Sequence, residues 1–403
     1  MNIDWLVIGG GMHGVHIAAR LIGEVGVDQE ALRIIDPSER LLERWLNRTE
    51  VTGMRYLRSP VVHHLDPNAW SLKHYIKDQE DEELETFAPP FERPGLKLFN
   101  HHCEEVIKTF ELDQLHIQAR ALICTLDHNG AHVQLSTGET ITAQNIVLAM
   151  GAGEALEWPA WAPESNPRVS HVFGPNFNSW PSSEESVVVV GGGISAGQVA
   201  LRLVDEGHQV HLISRHDFRE HQFDSNPEWL GPKMMSGFSR VRDVDQRRAL
   251  ITEARHRGSV PPDVYGALRR AIYRGQIHWY QGQIETLDEQ GEELMLSIST
   301  GVSLEAHRVL LATGFSSKRP GGDFIDQLIA SADLPCASCG YPIVDEALRW
   351  HPRIYVSGPL AELETGPVSR NIAGARRAGD RIVKALLSND LVRPHLLSSQ
   401  GAS

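Results

Sequence analysis

Two glycine clusters have the spacing of phosphate-binding turns. The first, Gly9-x-Gly11-x-x-Gly14, follows the apolar run Trp5–Ile8 and precedes a helical stretch from Val15 to Ile22. In such a turn the first glycine permits the tight reversal and the second lets backbone approach a pyrophosphate. The third lets helix and strand pack closely, and the helix start supplies free N–H donors and a positive dipole end. Asp36 closes the next apolar run, Leu32–Ile35, at the distance expected of a carboxylate that binds ribose hydroxyls. Gly9, Gly11, Met12, His13, Gly14, Asp36 and Pro37 therefore line one candidate dinucleotide site. The second cluster is Gly191-Gly192-Gly193-Ile194-Ser195-Ala196-Gly197, after the run Val187–Val190. Here Ala196 stands where the third glycine would be, and Arg215, with His216 beside it, replaces the acid beyond Gln209–Ser214. A guanidinium pairs with a 2′-phosphate that a carboxylate would repel, so Gly191, Gly193, Ser195, Ala196 and Arg215 predict a site for NADPH over NADH.

The elements that carry these turns repeat along the chain. Each is a short continuous apolar run, a glycine turn and a segment with helical spacing, the pattern of a parallel strand–helix unit buried on both faces. Downstream, Ser136-Thr137-Gly138 leads to Ala149-Met150-Gly151, and Ser299-Thr300-Gly301 leads at the same offset to Ala312-Thr313-Gly314. The stretches Ala119–Thr142 and Gln276–Glu305 read as small β-meanders. These landmarks predict a nested order: residues 1–160 begin one domain, 161–312 form a second, and 313–403 return to the first. Trp158–Pro167 and Ser316–Gly322 read as the linkers, and the acidic run Asp78–Glu85 as a solvated surface.

Composition narrows the partners. Over 403 residues, 38 Lys and Arg stand against 52 Asp and Glu, a formal net charge of −14. That surplus opposes phosphate-backbone and anionic-membrane binding, so neither nucleic acid nor membrane is an expected partner. Four cysteines, Cys103, Cys124, Cys336 and Cys339, make no disulfide framework. The N-terminal stretch lacks a basic leader region, and no apolar run reaches the ~18–20 residues that span a bilayer. The expectation is a cytoplasmic protein.

With these residues in place, the sequence resembles the two-dinucleotide flavoprotein superfamily. The resemblance implies an α/β fold of two Rossmann-like, three-layer ββα domains, with the NADPH domain nested in the FAD domain. Ala149-Met150-Gly151 and Ala312-Thr313-Gly314-Phe315 are similar to the strands that close each domain near its dinucleotide, which assigns Met150, Gly151, Thr313 and Gly314 to cofactor contact. Within the superfamily the sequence resembles class B flavin monooxygenases, and especially the lysine/ornithine N-hydroxylase-like branch. Met54-Arg55-Tyr56-Leu57-Arg58-Ser59-Pro60 with Asp66-Pro67 is similar to the segment that passes beside the flavin ring there. Arg168-Val169-Ser170-His171, Gly193-Ile194-Ser195-Ala196 and the spaced pair Phe173-Gly174 and Trp180-Pro181 echo other elements of those enzymes. The resemblance places Arg58 beside FAD, where it would pair with a substrate carboxylate, and His63 or His64 nearby as a proton shuttle. Gly358 and Pro367 would meet FAD, and Asn371, near the start of the last helix, is a second catalytic candidate. Arg55, Arg58 and Ser59 depart from the Gln, Lys and Asp of that branch, and Pro359 follows Gly358 where many members carry Asp.

The function so implied is an FAD-dependent, NADPH-consuming monooxygenase that passes oxygen from O2, through the flavin C4a-hydroperoxide, to a nitrogen or sulfur of a small molecule. The alternatives are an NADPH-dependent flavin reductase acting on a disulfide or protein acceptor, and a non-catalytic flavin-binding sensor. Cys336-x-x-Cys339 lies in neither position that the two disulfide-reductase types use, and reads as incidental loop cysteines. His63-His64 and His101-His102-Cys103 do not read as metal ligands, because neighbours on a strand point to opposite faces. No motif in the chain sets the substrate or the oligomeric state.

Overall fold

The apolar runs beside the glycine turns become central strands of two parallel sheets. The computed structural model describes residues 1–78, 86–174, 177, 180–181 and 184–390. Most of the acidic run, 79–85, and part of the stretch between Gly174 and Trp180 lie outside the described residues.

In the first sheet Asn2–Ile8 lies between Leu32–Asp36 and Thr140–Leu148, parallel to both. His116–Gln118 extends the sheet beyond Leu32–Asp36. The strand Thr140–Leu148 serves two structures. Its first half pairs antiparallel with Ala131–Leu135 of the meander, and its second half pairs parallel with Ile354–Val356 from far along the chain. The C-terminal helix, Ile372–Asp390, packs against the first helix, Met12–Arg20. The chain thus leaves this unit and returns to finish it.

The second sheet is parallel throughout, ordered Ile277–Gln281, Gln209–Ser214, Ser186–Val190, Arg308–Leu311 and Val169–His171. Its valine run explains why it does not alternate in polarity. Val187 and Val189 enter one core with Ala196, Val199 and Leu268 of the helices, while Val188 enters another with Leu294, Leu296 and Leu304. Helices cover one face and the antiparallel meander Ile284–Ala306 covers the other, a three-layer ββα unit. One sequence expectation is corrected: Ile277–Gln281 belongs to the parallel sheet, and the meander starts after it. The Trp158–Pro167 stretch is also no loose tether, because Trp158 and Trp161 pack on the second unit and Trp158 Nε1 donates to Ala162 O at 2.7 Å.

Candidate functional site

The two glycine turns are built alike. Gly9 N donates to Ile35 O at 2.8 Å, and Gly191 N donates to Ile213 O at 2.9 Å. Both Gly9 and Gly191 have positive φ, +118° and +152°. A Cβ on Gly9 would lie 2.6 Å from Ala149 O, and one on Gly191 would lie 2.5 Å from Ala312 O. The Ala-x-Gly strand ends therefore press on the turns in both units. Gly14 must be glycine because a Cβ there would overlap Gly9 O. Ala196 is accepted at the matching place, its Cβ 3.0 Å from the position a Gly191 Cβ would take, which is a second reason for glycine at 191.

At the first turn a Cβ on Gly11 would meet nothing within 4 Å. The helix Met12–Arg20 begins there without a side-chain cap and without an acid in its first turn. An open cradle at uncapped N–H groups fits a pyrophosphate, so the site fits the FAD that the sequence implies. Asp36 sits at the strand end, where its carboxylate accepts from Gly10 N at 2.7 Å and Ser38 N at 2.9 Å. His13 lies against Gly358, which has φ +66°, and its Nδ1 hydrogen-bonds Ser357 Oγ at 2.8 Å. Burial holds the His13 imidazole neutral, its pKa down to about 4, although a bond to the Asn371 main chain works the other way. Ser357, which has no sequence signature, is thus a residue the motif reading missed.

At the second turn the helix Ile194–Asp205 also begins without a side-chain cap or an acid in its first turn. Arg215 is exposed at the strand end and has no partner among the described residues, so these residues fit a dinucleotide with a 2′-phosphate. Gly197 lets this helix pack on Pro262–Tyr273, where a Cβ would lie 2.9 Å from Leu268. Thr313, expected at the cofactor, is engaged by the linker. Its hydroxyl donates to Glu157 O, and Gly314 O accepts from Glu157 N, so the pair ties down the linker between the units. Gly151 is exposed, and a Cβ on it would meet nothing within 4 Å.

The returning segment is denser than its sequence suggests. Pro367 opens a short 3₁₀ turn, Pro367–Arg370, and the long helix starts only at Ile372. Asn371 caps that helix, its Oδ1 accepting from Gly374 N at 3.0 Å. Just before it, the wholly buried Glu362 receives three guanidiniums. Arg370 donates at 2.8 and 2.9 Å, Arg248 makes a close ion pair, and Arg255 lies 3.5 Å away. Burial alone would raise this carboxyl, but the three cations hold it below the usual carboxylate value. Arg255 also donates to Pro367 O at 3.0 Å, and burial lowers its pKa to about 10. Sequence reading missed this cluster because its members are scattered from 248 to 370.

Arg58, expected beside the flavin, is engaged with the second unit. Its Nε donates to Gln222 O at 2.9 Å, and its Nη2 to His221 O at 2.8 Å and Ser259 Oγ at 3.1 Å. The guanidinium binds the main chain of the second unit, and a substrate carboxylate would have to compete for it. Beside it His221 and His256 stack with ring centroids 3.7 Å apart. His63 and His64 are neutral by burial, with pKa values down to about 4 and about 3. Among the described residues no group of three or more His, Cys, Asp or Glu side chains is gathered as metal ligands. Among them too, no helix is long and apolar enough to cross a membrane.

Residues 6–153 match the family described as FAD-NAD(P)-binding, and residues 85–256 match the pyridine nucleotide-disulphide oxidoreductase family. No curated protein sequence matches the chain. Among solved structures, the ornithine hydroxylase of Pseudomonas aeruginosa superposes with TM-score 0.74 at 17% identity, over 96% of this chain and 99% of that one. The ornithine N-hydroxylase of Kutzneria sp. 744 gives 0.75 at 16%, over 97% and 100%. The bacillithiol disulfide reductase of Bacillus cereus gives 0.62 at 17%, over 96% and 100%. What the chain shares with all three is the fold.

Proposed function

We propose that this chain, which has the fold of flavoproteins with two dinucleotide-binding units, is an FAD- and NADPH-dependent oxidoreductase acting as a monooxygenase on a small molecule. The carrying observation is the pair of matched turns, one with an open cradle at Gly11 and the other with Arg215 beyond it, exposed and without a partner among the described residues. The solved hydroxylases similar in fold, one of them described with reduced FAD, NADP+ and L-ornithine, support the oxygenating reading. A cytoplasmic location goes with it.

Flavin in the first unit would supply two-electron chemistry and reaction with O2. The protein's part is to bind, orient and neutralise. Residues Gly9–Gly14 and Asp36 would hold the adenosine diphosphate portion of FAD. Neutral His13 and the Gly358 backbone border the same helix start. The Pro367–Asn371 segment, backed by the cationic cluster on Glu362, would favour negative charge on a bound group. Arg215 would select NADPH, and Arg58 would fix the second unit against the first.

Gly11→Val tests the assignment. A Cβ there touches no protein atom but fills the cradle, so the variant is expected to fold yet emerge colourless. Yellow protein at full flavin occupancy would overturn the reading. A second reading, disulfide reduction, draws on the family matched by residues 85–256 and on the reductase of similar fold. Product labelled from isotopic O2 supports the first reading, whereas NADPH oxidation driven by a disulfide supports the second.

A further inference from the structure

Beyond the two glycine turns the strand ends that press on them run on and meet. Ala149, against Gly9, leads to Gly151–Gly153, and Ala312, against Gly191, leads to Phe315. Leu156 faces Phe315 as an isolated bridge, Ser316 N donates to Ala155 O at 2.8 Å, and Glu157 N donates to Gly314 O at 3.0 Å. Over this joint the helix Glu43–Thr52 of the first unit extends Arg48. Its Nη2 donates to Gly153 O at 2.6 Å, and its Cζ lies 4.8 Å from the centre of the Phe315 ring and 5.6 Å from that of Phe173. The two rings stack at 5.4 Å with 10° between their planes. Gly153 admits this approach, since a Cβ there would lie 2.3 Å from Arg48 Nη1.

This guanidinium lacks an anion. Glu154, the acid next along the chain from Gly153, is taken up by Arg44 at 2.7 Å and by Arg120 at 3.2 Å. Among the described residues Arg48 has no acid within ion-pair distance, and its Nε and Nη1 have no hydrogen-bond acceptor. Three cations thus gather about one carboxylate, in a chain whose net charge is −14. Burial, helped by the charge of Arg44 and opposed by Glu154, lowers the Arg48 pKa to about 10. A partly desolvated cation with forked donors to spare suits the oxygens of a phosphate.

The place of Arg48 identifies that phosphate. In the second sheet Gln209–Ser214, which ends at Arg215, lies on one side of Ser186–Val190, and Arg308–Leu311 lies on the other. A dinucleotide seated on the Gly191 turn with its 2′-phosphate at Arg215 therefore carries its other half across the end of Arg308–Leu311. That half must also turn toward the first unit, where the flavin site lies. Phe315 is three residues past Ala312, at most about 11 Å of chain.

We propose that Arg48 of the first unit binds the nicotinamide-side phosphate of the nucleotide held by the second, and so fixes its reducing half at the joint between the units. The proposal rests on the reading of the second unit as an NADPH site. Two arginines then divide the nucleotide: Arg215 reads the 2′-phosphate that sets NADPH apart, and Arg48 reads a phosphate that NADPH and NADH share.

The test is equilibrium binding to the full-length protein, with no turnover required. The probes are NADP+, 2′-phospho-ADP-ribose, which lacks only the nicotinamide ring, and 2′,5′-ADP, which also lacks the nicotinamide-side phosphate. Arg48→Gln should weaken the first two by ~10–100-fold and leave 2′,5′-ADP unchanged. Arg48→Lys should recover part of the loss, and it keeps the same split readable if Arg48→Gln does not fold. Wild-type affinity for NADP+ in Arg48→Gln overturns the proposal. So does an equal loss for 2′,5′-ADP, the mark of a purely structural role, or a loss for NADP+ that spares 2′-phospho-ADP-ribose. Failure of 2′,5′-ADP to bind the wild type removes the NADPH reading of the second unit and the proposal with it.

Discussion

A single side chain reads the difference between the two dinucleotide sites. Asp36 turns its carboxylate onto Gly10, whereas Arg215 at the matching strand end is exposed, without an anion among the described residues. Losing a guanidinium–phosphate pair costs ~1.5–3 kcal/mol, so Arg215→Ala should weaken NADPH binding by roughly 10–100-fold and leave NADH nearly unchanged. Titrating both nucleotides against both proteins checks this, and an equal loss for the two would remove Arg215 from the 2′-phosphate. At this scale Gly9, Gly14 and Gly191 were legible because backbone geometry leaves no room there for another residue. The partners of Arg58 were not, because nothing around it in the sequence marks the carbonyls of His221 and Gln222 that take up its donors.

Buried histidines join the helix Met12–Arg20 to the helix Leu96–Thr109 through the chain between them. His16 Nδ1 meets Leu65 O at 2.7 Å, His64 and His102 pack edge to face at 4.8 Å, and His102 Nε2 meets Ser71 Oγ at 2.8 Å. Burial is the main cause that lowers His13, His63 and His102 to about 4 and His64 to about 3, against an ordinary value of 6.5. Below pH 6.5 the unfolded chain takes up protons that the folded chain refuses, so stability falls as pH drops from 6.5 toward about 4. Each such histidine adds a slope of up to ~1.4 kcal/mol per pH unit in that window. Thermal melts at pH 7 and pH 5 should differ steeply, and a flat melting temperature would mean that these rings protonate in the folded state. Strands were the most legible elements, since valine runs buried on both faces have few other uses. Sheet membership was less so: Ile277–Gln281 has the composition of a meander strand, and only its parallel pairing with Gln209–Ser214 reveals its place.

Arginines hold the two units in one arrangement, Arg58, Arg93 and Arg202 among them. Arg58 reaches across to residues 221–222, and Arg202 donates to Glu50 O at 2.9 Å and Val51 O at 3.0 Å. Arg93, buried in the first unit, places both terminal nitrogens 3.0 Å from Asp263 Oδ2 at the start of a helix of the second. Removing the acid strands a buried cation that keeps only carbonyl partners. Because Asp263 itself is partly exposed, Asp263→Asn should cost about 2 kcal/mol. A denaturation midpoint equal to the wild type would show that the carbonyls suffice. The nested order of the units was readable from the repeated turns and strand ends. The ties between units were not, because residues such as 93 and 263 share no pattern and meet only after both units have folded.

The strand Thr140–Leu148 sets an order of assembly during translation. Its second half acquires its outer neighbour, Ile354–Val356, only after roughly two hundred more residues have left the ribosome. At ~5–20 residues per second that is a wait of about 10–40 s with a bare strand edge, the kind of edge that pairs with wrong partners. The second unit, whose five strands all lie between Val169 and Leu311, can finish its own sheet within that interval. The sheet that is begun first is therefore the last to close, and it closes around a unit already formed.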